Sequence, residues 1–311
     1  MNNRILDLSD SPARLYARGG LLHVHRPGQS LRTIPFGQIS VLVCSHPQVT
    51  FTQAVVAELA AVNGLLIACD SKSQPVAMLL PLVSHFAQTA RFQLQAAASL
   101  PLRKRLWRSI VASKIRAQGR TLAALTGTDC GLERAAGRLR IAEATQAEST
   151  ASRMYWPRLF CDPDYRRSNA DDPRNHLLNY GYSIVRAASA RALCASGLHP
   201  ALPLHHHNQY DPYPLANDLM EPFRPLVDRW CVAWWRAHSS GISRDAKQSV
   251  LRFLTGRFSD GREARSLFDW IQRASNQLAR CLEGNQNNIG FPALEPVCDE
   301  TAEGEAETAP Q

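Results

Sequence analysis

The sequence predicts an α+β fold, with a β-rich N-terminal domain followed by a larger all-α domain. Three observations carry this. Over roughly the first eighty residues, short apolar runs alternate with turn residues. Beyond Leu82 the apolar residues recur at helical spacing instead. The chain is 311 residues long, 45% apolar and 20% charged, which is globular usage and more length than one small domain needs. The expected division is 1–83 for the β-rich domain with one helix, 84–90 for a linker, 91–294 for the helical domain and 295–311 for an acidic disordered tail.

The elements follow in order. Strands are expected at 4–8, 13–18, 21–26, 31–35 and 39–44. Gly19-Gly20 marks a two-residue hairpin, because glycine takes positive φ without steric cost. Leu22, Val24 and Arg26 alternate with Leu21, His23 and His25, which suits a sheet with one covered face. A helix over 51–62, capped by Thr50 or Thr52, precedes two buried strands in GLLIACD and QPVAMLLP. Helices are then expected at 86–98, 102–125, 130–153, 177–196, 215–238, 244–257 and 263–283. Pro101 suits a first helical turn, and Gly197 suits a C-terminal cap. Pro222 and Pro225 should kink the helix just after Glu221.

Charge narrows the partners. The chain has 35 bases and 27 acids, and six of the acids (Glu295, Asp299, Glu300, Glu303, Glu305, Glu307) lie in the tail without a base. The body before it therefore carries +14, which attracts polyanions, nucleic acid first among them. Only four of the bases are lysine, so part of the excess is also what an Arg-biased composition gives. No apolar run reaches the ~18–20 residues of a membrane span, and the first dozen residues lack the apolar core of a secretory signal. Eight scattered cysteines without any C-x-x-C read as reduced thiols in a cytoplasmic protein, and zinc held by cysteine is disfavoured.

Chemistry concentrates in three stretches. Glu148 precedes Tyr155-Trp156 by two helical turns, on one face. Asn175-His-Leu-Leu-Asn-Tyr-Gly-Tyr182 follows. Then His205-His-His207 leads to Asp218-Leu-Met-Glu221-Pro-Phe-Arg224. Asp218 and Glu221 lie three apart on the flank of the stripe made by Leu215, Leu219 and Leu226. Taken alone, each acid reads as a solvated helix residue, and the histidines as loop residues of which at most two can serve one metal. Together, an imidazole and two carboxylates make an N,O,O donor set suited to Mg²⁺ or Mn²⁺. In a basic helical body such a set suits phosphodiester chemistry.

In this order and spacing, Glu148…Tyr155-Trp156, LNYGY at 178–182, GLHP at 197–200, the histidine run and DLMEPFR at 218–224 resemble the universal integrase family of CRISPR adaptation. The most similar variant accompanies the single-protein RNA-guided effector nuclease. The resemblance spans nearly the whole chain. It implies a metal-dependent DNA endonuclease and integrase that inserts short foreign DNA fragments into a repeat array, using Mg²⁺ or Mn²⁺. The family's catalytic glutamate falls on Glu148 and its second carboxylate on Glu221. Its histidine lies three residues after a glycine, which maps onto His206, with His205 as the alternative; Pro203 stands where the family has glycine. Asp218 matches an acid near the metal. The implied partners are the prespacer duplex and the repeat, a second copy joined through the β-rich domain, a dimer of the small ferredoxin-like adaptation protein bridging two such dimers, and the effector nuclease as a candidate. Arg103, Lys104, Arg105, Arg108, Lys114, Arg166 and Arg167 are the expected phosphate contacts, although each alone reads equally as a solubilising charge. The alternatives are a branched-DNA nuclease, or a non-catalytic DNA-binding scaffold.

Overall fold

The computed structural model describes residues 4–9, 11–70, 75–81 and 83–297. Residues 298–311 of the expected acidic tail, with Cys298, lie outside the described residues, whereas Glu295–Pro296, expected to be disordered, form a strand. The N-terminal part contains β1 (Arg4–Asp7), β2 (Ala13–Arg18), β3 (Leu21–His25), β4 (Arg32–Pro35), β5 (Ile39–Cys44), β6 (Val49–Phe51), α1 (Gln53–Ala61), β7 (Leu65–Cys69) and β8 (Pro75–Leu79). Gly19 and Gly20 take φ of 59° and 73° between β2 and β3, and Arg18 pairs with Leu21. Two four-stranded sheets result, ordered β4-β3-β2-β6 and β1-β5-β7-β8. In the second, β1, β5 and β7 are parallel and β8 is antiparallel at the edge.

The central strands of this second sheet, β5 and β7, are buried on both faces, which is why ISVLVC and LLIAC read as continuous apolar runs. Leu42 and Leu66 point into a core shared with Leu15, Leu22, Val55 and Leu59. Val41, Val43, Leu65 and Ile67 point the other way, into the core of the helical part. The two parts therefore share a wall.

The helical part runs through α2 (Gln88–Ala96), α3 (Leu100–Thr126), α4 (Leu132–Gly137), α5 (Ala144–Leu159), α6 (Pro173–Ala195), α7 (Pro214–Met220), α8 (Arg224–His238), α9 (Arg244–Thr255), β9 (Arg257–Ser259), β10 (Ala264–Ser266), α10 (Leu267–Leu282) and β11 (Glu295–Pro296). Ser99 caps α3 by accepting from the Leu102 N–H, and Gly127 ends it at φ 82°. Asp172 caps α6, with Pro173 in its first turn. The α3 helix is central: Trp107, Ile110, Lys114 and Ile115 are all buried. At Gly181 of α6, an added Cβ would lie 2.4 Å from Val227 Cγ1 of α8, so the close crossing of these helices requires glycine there.

Several expectations need correction. The helix expected over 130–153 is two helices, separated by a loop and a short 3₁₀ turn at Ile141–Glu143. The helix expected over 263–283 begins at Leu267, because Asp260-Gly261 turns the chain into the β9–β10 hairpin, with Gly261 at φ 88°. The helical part thus holds a small three-stranded sheet that helical periodicity did not reveal. The kink expected after Glu221 is present as a 3₁₀ turn, Glu221–Phe223. The segment 84–90 is not a free linker. Ser84 Oγ donates to the Cys194 carbonyl at 2.5 Å, and His85 packs against Gly197. The adjoining Arg91 bonds Glu283 and the Ser196 carbonyl.

Candidate active site

Glu148 lies on α5, Lys114 on α3, Glu221 at the α7–α8 kink and His206 on the loop before α7. The Lys114 ammonium is 2.6 Å from Glu148 Oε1 and 2.6 Å from Glu221 Oε2. Those two oxygens therefore lie no more than 5.2 Å apart. The contact to Glu148 is a hydrogen bond. The contact to Glu221 is a buried ion pair, with the Lys114 ammonium the partner of Oε2. Arg224 donates to the other oxygen, Oε1, at 2.7 Å. Burial pushes the Glu221 carboxyl up, but the Arg224 and Lys114 charges outweigh it and hold the pKa down at about 2.

His206 is fixed from behind. Asp218 is fully buried and accepts from the Leu204, His205 and His206 backbone N–H groups and from His206 Nδ1, the last at 2.6 Å. Its oxygens are thus spent on the loop. This leaves Nε2 as the nitrogen His206 can offer to a ligand, the usual arrangement when a carboxylate orients a metal-binding imidazole. The Asp218 hydrogen bond raises the His206 pKa against its burial, with Glu221 and Glu148 adding to the rise. His205 takes another path: its ring stacks flat on Trp107, centroids 4.3 Å apart, and burial lowers its pKa.

Behind Glu221 lies a buried polar network. Tyr155 Oη donates to Asp228 Oδ2 at 2.8 Å, and Tyr182 Oη donates to Oδ1 of the same carboxylate. Arg224 lies over the Tyr182 ring, 4.2 Å from its centroid. Burial raises the Asp228 carboxyl to about 6, despite these hydrogen bonds. In front, Glu221 and His206 open on a pocket of about 400 Å³ that also presents Arg167, Arg186, Arg224 and Asn217. One imidazole, one carboxylate and three guanidinia in a single opening make a site for an anionic oxyacid such as a phosphodiester.

The family model described as CRISPR associated protein Cas1 matches residues 6–241. The chain belongs to the Cas1 family. It is 29% identical over 282 residues to a CRISPR-associated endonuclease Cas1 from Neisseria meningitidis serogroup C (strain 8013), covering 89% of this chain and 91% of that one. Among solved structures, a Cas1 protein from Thermotoga maritima matches with a TM-score of 0.74 at 15% identity, covering 92% of this chain and 99% of that one. A casposase bound to an integration product matches at 0.73 and 17% identity, covering 93% of each. These structural likenesses show the shared α+β fold.

For this Cas1 chain, the structure brings Glu148, Glu221 and His206 into one neighbourhood and sets Asp218 behind His206. As they stand, no three His, Cys, Asp or Glu side chains among the described residues converge on a metal position. Lys114 fills the gap between the two carboxylates. An ammonium is itself a cation, so its place marks where positive charge is stabilised. Glu148 Oε1 and Glu221 Oε2, on either side of that ammonium, and the oriented His206 imidazole make an N,O,O donor set whose chemistry suits Mg²⁺ or Mn²⁺.

The expected phosphate contacts divide. Lys104 and Arg166 are exposed. Arg103 bonds the Leu204 carbonyl and His207, and Arg108 bonds the Leu139 carbonyl. Arg105 is half-buried. Arg167 joins Asn175 and Asn179 and reaches the pocket. Lys114 is a correction: it is buried and paired with the two glutamates, because it lies on the inward face of α3, two turns after Trp107. Sequence reading gave no role to Arg224, Asp228 or Arg186. A signal existed for Asp228, a lone acid on the apolar side of RPLVDRWCV, seven residues after Glu221. None existed for Arg186 among the other arginines.

Proposed function

We propose that this chain is a metal-dependent DNA endonuclease and integrase that inserts short duplex fragments into a CRISPR repeat array. The observation that carries this is the Lys114 ammonium held between Glu148 and Glu221, beside an imidazole oriented by Asp218. Glu148, Glu221 and His206 would hold Mg²⁺ or Mn²⁺, with Lys114 withdrawing from between the carboxylates. When bound there, the ion supplies Lewis-acid polarisation of a phosphoryl oxygen and stabilises the leaving oxygen.

The chain's own residues do the rest. Arg224 fixes the rotamer of Glu221, and the Tyr155–Asp228–Tyr182 network holds the ring on which Arg224 lies. Arg167 and Arg186 offer charge to the phosphate that enters the pocket. The 3′-hydroxyl oxygen of the fragment attacks phosphorus in the repeat strand. One P–O bond forms and one breaks, the attacking hydroxyl gives up its proton, and the departing 3′-oxygen takes one up. Phosphodiester is exchanged for phosphodiester, so no nucleotide cofactor is consumed.

Joining both fragment ends needs two such sites at a fixed separation. We place a second copy of the chain across the β-rich domain, with two dimers bridged by the small ferredoxin-like adaptation protein. Solved structures with the same fold include a Cas6-RT-Cas1–Cas2 complex and a Cas1–DNA complex. No helix among the described residues is long and apolar enough to cross a membrane, and the seven described cysteines are all free, which supports work in the reducing cytoplasm.

The test is strand transfer. The chain with its partner, a prespacer-length duplex, a supercoiled repeat plasmid and Mn²⁺ should give covalently joined product. Nicking without joining would assign a branched-DNA nuclease instead. Joining that survives Glu148→Ala would mean that the site is elsewhere.

A further inference from the structure

Asn175, Asn179 and Tyr182 recur at helical spacing on α6, on the face whose Asn179 and Tyr182 line the opening in front of Glu221. All three hold Arg167, from the loop between α5 and α6. Arg167 donates to Asn179 Oδ1 at 2.6 Å and to Asn175 Oδ1 at 3.2 Å. Its Cζ lies 5.4 Å from the Tyr182 ring centroid and 5.8 Å from that of Trp156. Asn175 is buried and uses its whole amide: Oδ1 also accepts from Tyr165 Oη at 2.5 Å, and Nδ2 donates to the Arg166 and Asn169 carbonyls. It fixes the loop together with the guanidinium. What these partners lack is charge. Arg91, Arg174, Arg224 and Arg229 each pair with a carboxylate. Arg167 bonds none among the described residues, and Asp228, bonded to Tyr182, has its oxygens on the Tyr155 and Tyr182 hydroxyls. Arg167 Nε is buried and finds no acceptor among the described residues. A half-buried guanidinium held by two amides and two rings keeps its full positive charge and a donor to spare.

We propose that Asn175 and Asn179 are positioning residues that present Arg167, uncompensated, to the phosphate at which strands are exchanged. This rests on the DNA-processing reading above and adds why the partners of this arginine are amides. A carboxylate at position 179 would bind the guanidinium more tightly and cancel the charge that a phosphate needs. An amide fixes the same fork and leaves its charge in place. Negative charge grows on the non-bridging oxygens as the attacking oxygen arrives, and a donor already aimed there stabilises it without reorganising. The spacing Asn175-x-x-x-Asn179-x-x-Tyr182 thus serves the chemistry as well as the packing of α6.

The test is single-turnover joining by the full chain with its partner, a prespacer-length duplex, the repeat plasmid and Mn²⁺, at saturating DNA. Asn179→Asp keeps the shape of the side chain and adds the missing carboxylate. The free chain should melt no lower than wild type, because the change adds an ion pair at an exposed place. The joining rate should nevertheless fall by about tenfold to a hundredfold, less than the ~10²–10³ of deleting a transition-state donor outright. The salt slope of DNA binding should fall by about one. Asn179→Ser, neutral but shorter, should lose only about twofold to fivefold. In an Arg167→Gln background, Asn179→Asp should cost little more, since the charge it cancels is gone. Joining by Asn179→Asp at the wild-type rate, a loss in Asn179→Ser as large as in Asn179→Asp, or a full Asn179→Asp cost that persists without Arg167 overturns the positioning assignment alone. Absence of joining by the wild-type chain overturns the underlying reading with it.

Discussion

Replacing Lys114 by methionine isolates the charge that stands between the two glutamates. Methionine keeps the length of the side chain and removes the ammonium. Glu148 and Glu221 are then left with oxygens no more than 5.2 Å apart and no cation between them. At an effective dielectric constant of ~20, two unit charges at that separation repel by about 3 kcal/mol. The same size follows from the ~3–5 kcal/mol measured when one partner of a buried ion pair is removed. For a chain of 311 residues, at ~2.1 cal/mol/K of unfolding entropy per residue, about 3 kcal/mol lowers the melting temperature by roughly 5 °C. Scanning calorimetry in chelator should show that fall. Millimolar Mn²⁺ should then raise the variant's melting temperature more than the wild type's, because no ammonium has to be displaced. A variant as stable as wild type in chelator, or one that gains nothing extra from Mn²⁺, would refute the argument that Lys114 occupies a cation site.

Gly181→Ala places a methyl group 2.4 Å from Val227 Cγ1, and should cost about 1–3 kcal/mol in urea unfolding while leaving the chain folded. Asp228, whose carboxyl is raised to about 6 in the folded chain, binds its proton more tightly folded than unfolded. Its contribution is therefore fully present below the ordinary aspartate value and lost as pH rises through about 6, by an amount on the order of 3 kcal/mol. Glu221, held at about 2, acts oppositely but only below its ordinary value, while His205 and His206 also titrate between pH 5 and 7, so the Asp228 share is read as the difference between wild type and an Asp228 variant. Asp228→Asn should flatten the stability-versus-pH curve there, as read by denaturant melts at each pH. If several arginines neutralise phosphates, DNA affinity should drop by orders of magnitude between about 50 and 200 mM salt in a filter-binding series; a flat series would remove the basic surface from the account.

The strand-rich start and the helical body were legible because period-two and period-3.6 patterns are local properties of the chain. The two breaks inside expected helices were less so. A four-residue turn such as DGRE and a loop such as RLR interrupt a periodic pattern without erasing it. In the site, Glu148, His206 and Glu221 came from motif order, since nothing local in the sequence brings α5, the histidine loop and the α7–α8 kink together. The role of Lys114 was missed because its charge was grouped with the solvent-facing bases of α3, although its spacing from Trp107 and Ile110 puts it on the buried face. Asp218 was legible as an acid beside the candidate site. That it would spend its oxygens on three backbone N–H groups and one imidazole depends on the path of the 203–213 loop, which no periodicity specifies.

Whether one divalent ion is shared by Glu148, His206 and Glu221 is measured most directly by anomalous diffraction from crystals grown with Mn²⁺. The account predicts a single manganese peak within bonding distance of a carboxylate oxygen from each glutamate and of His206 Nε2, with the Lys114 ammonium withdrawn from between them. Manganese bound elsewhere, in a protein that still joins DNA, would contradict it.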